Sequence, residues 1–304
     1  MERPRCALGR GPGATTLRRA VEDGGGQIVE VADADALIWL DPSDPTGLAR
    51  TLEEHPHLAW VQLPWAGIEP YVDVLDDKRT WTCGKGVYAQ PVAEHALALG
   101  LAGLRGVGHY ARRRTWSAPR GRNLLGGRVT VLGGGGIAQE LLGLLDPFDA
   151  HVTVVRRHPD PLPGADEVVG RDGLLDALAG SDLVVLALAL TPETRKIIDR
   201  RALAAMSSHA WLVNVARGAH VDTDALVDAL LLGSIGGAAL DVADPEPLPD
   251  GHPLWSLENA LITPHVGNTP EMGEALLAER VRENIRRWAT DEPLLGPVDV
   301  ELGY

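Results

Sequence analysis

The chain has 304 residues, 45% of them apolar, and a formal net charge of −14. That length suits two domains with sizeable cores, and the acidic balance argues against nonspecific binding to nucleic acid or to an anionic membrane. The two cysteines, Cys6 and Cys83, lack the spacing of a metal site, and we expect neither a metal site nor a disulfide framework. The sequence shows no apolar run of membrane-spanning length and no apolar signal core. We therefore expect a cytoplasmic protein.

Residues 1–90 alternate between short apolar runs and amphipathic stretches. Such alternation predicts a parallel sheet with helices on both faces, so we interpret this region as a small doubly wound unit without a phosphate-binding loop. The predicted strands are "RCALG", "QIVEV", "ALIWL", "LAWVQLP" and "WTCGKG", and the predicted helices are "TTLRRAVEDGGG" and "GLARTLEEHP".

A long helical stretch, "PVAEHALALGLAGLRGVGHYARRR", follows from Pro91. Proline suits a helix start, and we interpret this stretch as the bridge into a second domain. Glu94 and His95 on this helix are interpreted as ordinary helix surface or interdomain packing.

Residues 128–157 have the pattern of a strand, a glycine turn, a helix and a second strand: "RVTVLGGGGIAQELLGLLDPFDAHVTVVRR". The turn reads G-x-G-x-x-A, with Gly133 for the tight turn, Gly135 for close approach of a pyrophosphate, and Ala138 where a third glycine is common. The helix, predicted to begin near Ile137, offers unpaired N–H groups to phosphates. An ordinary glycine loop is the alternative, but the βαβ context favours dinucleotide binding.

The end of the second strand indicates which dinucleotide binds. An acid usually meets a free ribose 2′-OH there, whereas this chain has Arg156 and Arg157 and no acid until Asp160. Arginine suits a 2′-phosphate. We therefore predict NADP(H) over NAD(H), with NAD(H) still possible and solvated surface arginines as the alternative.

Four more strands are predicted in this second domain, at "LVVLALAL", "HAWLVNVARG", "IGGAALDV" and "NALITPHVG". Helices are predicted at "GLLDALAGSD", "TDALVDALLLG" (with Thr223 as a possible cap) and "PEMGEALLAERVRENIRRWAT", and a loop followed by a helix is predicted at "TPETRKIIDRRALAAM". In open α/β sheets, ligands bind beyond the carboxyl ends of the strands. Polar residues at these ends are therefore candidate site residues.

Three such residues have complementary chemistry. Arg217 follows "LVNVA", Glu246 follows "AALDV", and His265 follows "LITP". A protonated histidine can supply a proton when hydride reaches a carbonyl carbon, a carboxylate can fix its ring, and an arginine can grip a substrate carboxylate. Each residue alone is more often a salt bridge or a loop contact, but together they indicate a dehydrogenase site.

At this point the sequence resembles a known family. The segments "NVARGAHVDTDALVDALLLGSIGGAALDVADPEPLPDGHPLW" and "ITPHVGNT", with "VLGGGGIA" and "LALALTPETRKIIDRRALAAM", are similar to the signatures of the D-isomer-specific 2-hydroxyacid dehydrogenases. "WVQLPWAGIE" and "PVAEHALAL" resemble substrate-domain segments of that family, and "VDVELGY" its usual tail. The arginine at position 156 resembles the glyoxylate/hydroxypyruvate reductase branch.

The resemblance implies a role for each matching position. Arg217 would bind the substrate carboxylate, His265 would be the acid/base, Glu246 its partner, and Asp241 the acid near the nicotinamide carboxamide. The remaining assignments are contacts to the cofactor or to the substrate carboxylate: Gly133, Gly135, Gly136 and Ile137 at the pyrophosphate, Thr191 and Ala216 as further cofactor contacts, and the Trp65, Ala66 and Gly67 loop at the substrate. Trp65 would either narrow the pocket or pack between domains.

The resemblance also implies an α/β architecture in which a Rossmann cofactor domain (93–270) is inserted in a smaller flavodoxin-like substrate domain (1–92 and 271–304). We expect a homodimer through the cofactor domain. The predicted activity is hydride transfer between NAD(P)H and the C2 carbonyl of a small 2-oxo acid. The alternatives are a cofactor-sensing, corepressor-like interaction protein on the same fold and a dehydrogenase for another oxyanion such as phosphite.

Overall fold

The computed structural model describes residues 3–11 and 13–300, and it divides into two compact units. The split unit contains the chain up to Tyr88 and the segment from Thr269 onward, and the inserted unit is Ala89–Asn268. The predicted domain boundaries lie after residues 92 and 270. The last four residues of the tail "VDVELGY" lie outside the described residues.

The split unit is built on a five-stranded parallel sheet with strand order β2-β1-β3-β4-β5. This is the flavodoxin-like order that the sequence analysis predicted. Its strands are β1 (Arg5–Leu8), β2 (Gln27–Ile28), β3 (Ala36–Ile38), β4 (Trp60–Gln62) and β5 (Thr80–Thr82), and its helices are α1 (Ala14–Asp23), α2 (Pro45–Glu54) and, after the inserted unit, α9 (Pro270–Ala289).

Helix α9 closes the core of the split unit. The ring of Trp288 on α9 stacks on Trp60 of β4, with 5.4 Å between centroids. Asn284, which is fully buried, donates to the side chain of Gln62 at 3.1 Å and to the main chain of Leu295 at 3.0 Å. The C-terminal segment therefore completes a unit that the N-terminal segment begins.

The inserted unit is built on a seven-stranded parallel sheet with order β12-β11-β10-β9-β6-β7-β8. The order reverses between β6 and β9, as in a doubly wound dinucleotide-binding fold, so the predicted fold class is confirmed. The strands are β6 (Arg128–Leu132), β7 (His151–Val155), β8 (Glu167–Val169), β9 (Leu183–Leu186), β10 (Trp211–Asn214), β11 (Gly237–Leu240) and β12 (Ala260–Ile262).

Helices cover both faces of this sheet, and the central strands are buried on both sides for that reason. Every residue of β9 and β11 is buried. The helices are α3 (Ala89–Leu104), α4 (Val107–Arg112), α5 (Gly136–Leu145), α6 (Leu174–Leu178), α7 (Arg200–Ala205) and α8 (Thr223–Leu232).

Several predicted elements differ from the structure. The helical stretch predicted from Pro91 consists of two helices. The first begins at Ala89, two residues before the proline, and ends at Leu104, and the second follows Gly106, which has a left-handed φ of 65°. The strand "QIVEV" shortens to two residues because a 3₁₀ turn follows at Val31–Asp33. Helix α8 is capped not by Thr223 but by Asp222, whose carboxylate accepts from the main-chain N–H of Ala225.

Candidate active site

The three residues predicted to bind the substrate or transfer the proton lie on three successive strand-end loops of the inserted unit. Arg217 follows β10, Glu246 follows β11 and His265 follows β12. These strands are neighbours in the sheet and parallel, so their carboxyl ends meet at one edge. Residues far apart in sequence therefore share one edge.

His265 is paired with Glu246. Its Nδ1 lies 2.6 Å from Oε1 of Glu246, and both side chains are about half exposed, at 53% and 42%. With Nδ1 engaged by the carboxylate, Nε2 is the nitrogen left to exchange a proton with a ligand. The backbone of His265 has a φ of 55°, in the left-handed region that side chains other than Gly, Asn, Asp and His rarely adopt.

Asp241, the first residue after β11, organises the loop that carries His265. Its side chain is 3% exposed, and its oxygens accept from the hydroxyl of Thr263 at 2.5 Å and from the main-chain N–H groups of Val266 at 2.9 Å and Gly267 at 2.8 Å. Burial would raise the pKa of this carboxyl, but the hydrogen bonds outweigh it and lower the pKa to about 2. Asp241 is thus an ionised, buried anchor of the loop.

Arg217 is held through its main chain by Asn214 at the end of β10. The Asn214 amide donates to the carbonyl of Arg217 at 2.9 Å and accepts from the N–H of Ala216 at 3.1 Å. The Arg217 guanidinium donates to the Ala216 carbonyl at 2.8 Å. Asn214 is 1% exposed, and the sequence analysis did not identify it as a residue that shapes the site.

The glycine turn between β6 and α5 fits a pyrophosphate. Gly133 has a φ of 112°, and a Cβ there would lie 2.2 Å from the Ala187 carbonyl oxygen, so only glycine fits. A Cβ at Gly135 would meet nothing within 4 Å, so this N-cap residue faces open space. Helix α5 starts at Gly136 without a side-chain cap, which leaves the N–H groups of its first turn, including that of Ile137, for an anion.

Arginines lie beside this turn. Arg156 follows β7, and a Cβ added at Gly134 would lie 3.0 Å from its side-chain Nε, so the guanidinium covers the turn. Arg157 is next and exposed, and Arg171 follows the neighbouring strand β8. Three arginines thus follow two adjacent strands on the same edge as the turn.

The other predicted cofactor contacts lie on loops after β9 and β10. The main-chain N–H of Thr191 donates to the hydroxyl of Thr194 at 2.8 Å, which fixes the loop after β9. Ala216 is buried between Asn214 and Arg217. These positions are on the carboxyl edge of the sheet, as the prediction requires.

The predicted substrate loop, Trp65 to Gly67, belongs to the split unit and follows β4. The Trp65 ring contacts the Tyr88 ring, with 5.2 Å between centroids. The main-chain carbonyl of Trp65 accepts from the N–H of Gly84 at 2.9 Å. Ala66 is exposed and Gly67 partly buried. The loop is thus anchored at Trp65.

Residues 75–267 match a family profile described as D-isomer specific 2-hydroxyacid dehydrogenase, NAD binding domain. The match spans well over half of the chain. The chain belongs to this family. The predicted resemblance is confirmed, and the dehydrogenase is an NAD(P)-dependent oxidoreductase.

Two curated proteins and one solved structure are similar to this dehydrogenase over most or all of its length. An uncharacterized protein in the proB 3′ region of Corynebacterium melassecola is 39% identical over 298 residues, covering 94% of this dehydrogenase and 95% of the relative. Glyoxylate/hydroxypyruvate reductase A of Photorhabdus laumondii is 33% identical, covering 88% and 87% of the two chains. The crystal structure of a D-isomer specific 2-hydroxyacid dehydrogenase from Xanthobacter autotrophicus Py2, in complex with NADPH and MES, is 29% identical with a TM-score of 0.85 and covers both chains completely.

One residue of the dehydrogenase departs from its sequence interpretation. His95 on α3 is not ordinary helix surface: its Nε2 lies 3.2 Å from Oδ1 of Asp241 and 3.1 Å from the hydroxyl of Thr263. Among the described residues, no cluster of three or more His, Cys, Asp or Glu side chains could hold a metal ion. In the same described part of the chain, no helix is long and apolar enough to cross a membrane.

Proposed function

We propose that this dehydrogenase reduces a small 2-oxo acid to the D-2-hydroxy acid, with NADPH as the preferred cofactor. The observation that carries the proposal is the 2.6 Å contact between His265 and Glu246 on the carboxyl edge that also carries Arg217. The name of the Photorhabdus relative, glyoxylate/hydroxypyruvate reductase, supports a small substrate.

When bound, the reduced cofactor would supply the hydride that C2 of the oxo acid accepts. Arg217 binds the substrate carboxylate with its fork of donors, which places the adjacent carbonyl in a fixed orientation. His265 donates a proton from Nε2 to the carbonyl oxygen as negative charge develops there, and Glu246 holds the ring through Nδ1 and stabilises the imidazolium. In the reverse direction His265 accepts the proton. That backbone N–H groups of the Trp65–Gly67 loop bind a substrate carboxylate stays a prediction.

The NADPH preference is proposed from Arg156 and Arg157. A 2′-phosphate carries negative charge and acceptor oxygens that match a guanidinium, whereas the free hydroxyl of NADH offers neither. The neighbouring Arg171 adds positive charge at the same edge. The NADPH complex of the Xanthobacter dehydrogenase supports this preference.

We also propose that the enzyme works in the cytoplasm and as a homodimer through the inserted unit. Both cysteines are free and buried, which is consistent with a reducing compartment. The inserted unit carries a fully exposed Trp116 and a cavity of about 500 Å³ at the amino ends of β10, β11 and β12. A partner protomer would cover such a surface.

Two substitutions test the catalytic roles. His265→Asn keeps a residue that tolerates the left-handed backbone but cannot act as the acid, so kcat should fall by about 10²- to 10⁴-fold while cofactor affinity is kept. Arg217→Lys keeps the charge but loses the fork, so KM for the oxo acid should rise by about 10- to 100-fold. Steady-state kinetics and cofactor fluorescence titration measure both.

If neither substitution affected the kinetics, the site assignment would be wrong. Tight cofactor binding by the unsubstituted protein without turnover of any 2-oxo acid would instead support the cofactor-sensing alternative.

A further inference from the structure

We propose that His95 is a positioning residue that holds the loop of the acid/base histidine in its working geometry through Asp241 and Thr263. The inference deepens the proposed function and rests on it, because it assumes that His265 transfers the proton. His95 lies on α3, 168 residues before Thr263 in the chain. It is therefore a tertiary link between a helix and the active-site loop.

The hydrogen-bonding partners fix which atom of His95 carries a proton. The Thr263 hydroxyl donates its proton to Oδ1 of Asp241 at 2.5 Å. Because a hydroxyl has only one proton, the Thr263 oxygen can only accept a hydrogen bond from His95. The ionised carboxylate of Asp241 also only accepts. Nε2 of His95, at 3.1 Å from the hydroxyl and 3.2 Å from Oδ1, must therefore be protonated and donate.

The same carboxylate holds the loop on both sides of His265. It accepts from Thr263 before the histidine and from the N–H groups of Val266 and Gly267 after it. The main-chain carbonyl of Asp241 accepts from the N–H of His265 itself at 2.8 Å. These contacts hold the left-handed backbone at position 265, which persists only where the surroundings stabilise it.

His95 is the one contact in this set that does not come from the loop. Within residues 3–11 and 13–300, the other donors to the Asp241 carboxylate belong to Thr263, Val266 and Gly267. A Cβ at Gly267 would lie 3.6 Å from Cδ2 of His95, so the imidazole also packs along the loop. Val92 of α3 lies at the same distance from that position, so apolar packing also joins α3 to the loop. Among these donors to the Asp241 carboxylate, His95 is the one that belongs to α3.

The variants are chosen to separate the hydrogen bond from the packing. His95→Phe keeps a ring but removes the donor, whereas His95→Gln places an amide N–H near the position of Nε2. His151→Phe is the matched control, because His151 lies 3.6 Å from Asp166 in another histidine–aspartate pair of the same unit, at the opposite end of the sheet. All variants are assayed with NADPH and glyoxylate or hydroxypyruvate, alongside the thermal stability of each.

We expect His95→Phe to lower kcat by about 10- to 100-fold, the effect of losing a hydrogen bond to a charged group, with little change in KM for NADPH. His95→Gln should regain most of the lost kcat, and His151→Phe should match the unsubstituted enzyme. In an Asp241→Asn background, adding His95→Phe should have a much smaller effect, because the two residues act as one unit. A merely structural role would lower stability without this split between kcat and KM.

A second readout does not depend on turnover. In spectra of isotope-labelled histidine side chains, His95 should be protonated at Nε2, and the strongly downfield proton of the short His265–Glu246 contact should be lost in His95→Phe but kept in His95→Gln. Absence of turnover in the unsubstituted protein would refute the proposed function while this spectrum still tests the link. Normal kcat and an unchanged downfield proton in His95→Phe would overturn the inference.

Discussion

His220 is fully buried, and both of its ring nitrogens face main-chain carbonyl oxygens: Nδ1 that of Thr194 at 3.0 Å and Nε2 that of Leu188 at 3.2 Å. A neutral imidazole donates only one proton, so it can satisfy only one of these carbonyls. Burial lowers the pKa of His220, and the nearby charges of Arg217 and Arg195 lower it further. The hydrogen bonds to the two carbonyls would raise the pKa, but their effect is smaller. The residue joins the loop after β9 to the turn that follows Arg217.

This burial predicts how stability depends on pH. The unfolded chain takes up a proton at His220 below its ordinary pKa of 6.5, but the folded protein does not until a lower pH. The contribution of His220 to the free energy of unfolding should therefore be constant above pH 6.5 and decrease below it, by at most about 1.4 kcal/mol per pH unit.

Denaturant unfolding of the enzyme and of His220→Asn at about pH 7.5 and about pH 5.5 checks this, because the variant cannot titrate in that window. The enzyme should lose more stability than the variant on acidification. Equal losses would show that His220 is not held neutral.

At the scale of single residues, the sequence identified the side chains whose position follows from the strand ends. Arg217, Glu246 and His265 each follow an apolar run, so their common edge could be predicted without coordinates. His95 and Asn214 could not be identified in this way, because their contacts depend on side-chain packing. The partner of His95 lies 168 residues away on another element.

At the scale of elements, the end of β7 is where the cofactor preference is tested. Arg156→Asp should place a carboxylate over the glycine turn, so KM for NADPH should rise by about 10- to 100-fold relative to KM for NADH, as a charge-assisted hydrogen bond is lost. Arg201→Ala, which removes an exposed arginine of α7, is the control. Parallel kinetics with both cofactors measure the ratio, and an unchanged ratio for Arg156→Asp would mean that this arginine does not bind a 2′-phosphate.

Element types were more predictable than element ends. The apolar run "LVVLALAL" predicted a buried strand, but β9 ends at Leu186, because the chain then turns into the loop that His220 and Thr194 hold. Helix α3 ends where Gly106 adopts a left-handed φ, which a helical pattern of apolar residues does not reveal.

Across the molecule, the alternation of apolar runs and helices predicted parallel sheets, whereas the insertion of one domain in the other came from the family resemblance. The strand orders follow from general rules for such sheets rather than from individual residues. The alternation of apolar runs and helices does not predict which surface of a unit binds another protomer, because that depends on the side chains that the folded unit exposes.

The proposed homodimer makes a prediction at this scale. If the inserted unit forms the interface, Trp116→Ser should shift the protein from dimer to monomer. The Trp116 indole is fully exposed in one protomer, and burying it against a partner would contribute to the free energy of dimerisation. Analytical ultracentrifugation over a range of concentrations checks this. Trp255→Ser, which changes another exposed tryptophan of the same unit, is the control. A monomer at all concentrations for the unsubstituted protein would refute the dimer.

Oxidation of the reduced cofactor tests most directly whether the enzyme reduces a small 2-oxo acid with NADPH. Glyoxylate, hydroxypyruvate, pyruvate and a bulky aryl-pyruvate are each assayed with NADPH and with NADH. We predict fast turnover of the small acids with NADPH and much slower turnover with NADH. Turnover with NADH alone, or of the aryl-pyruvate alone, would contradict the cofactor or the substrate assignment, respectively.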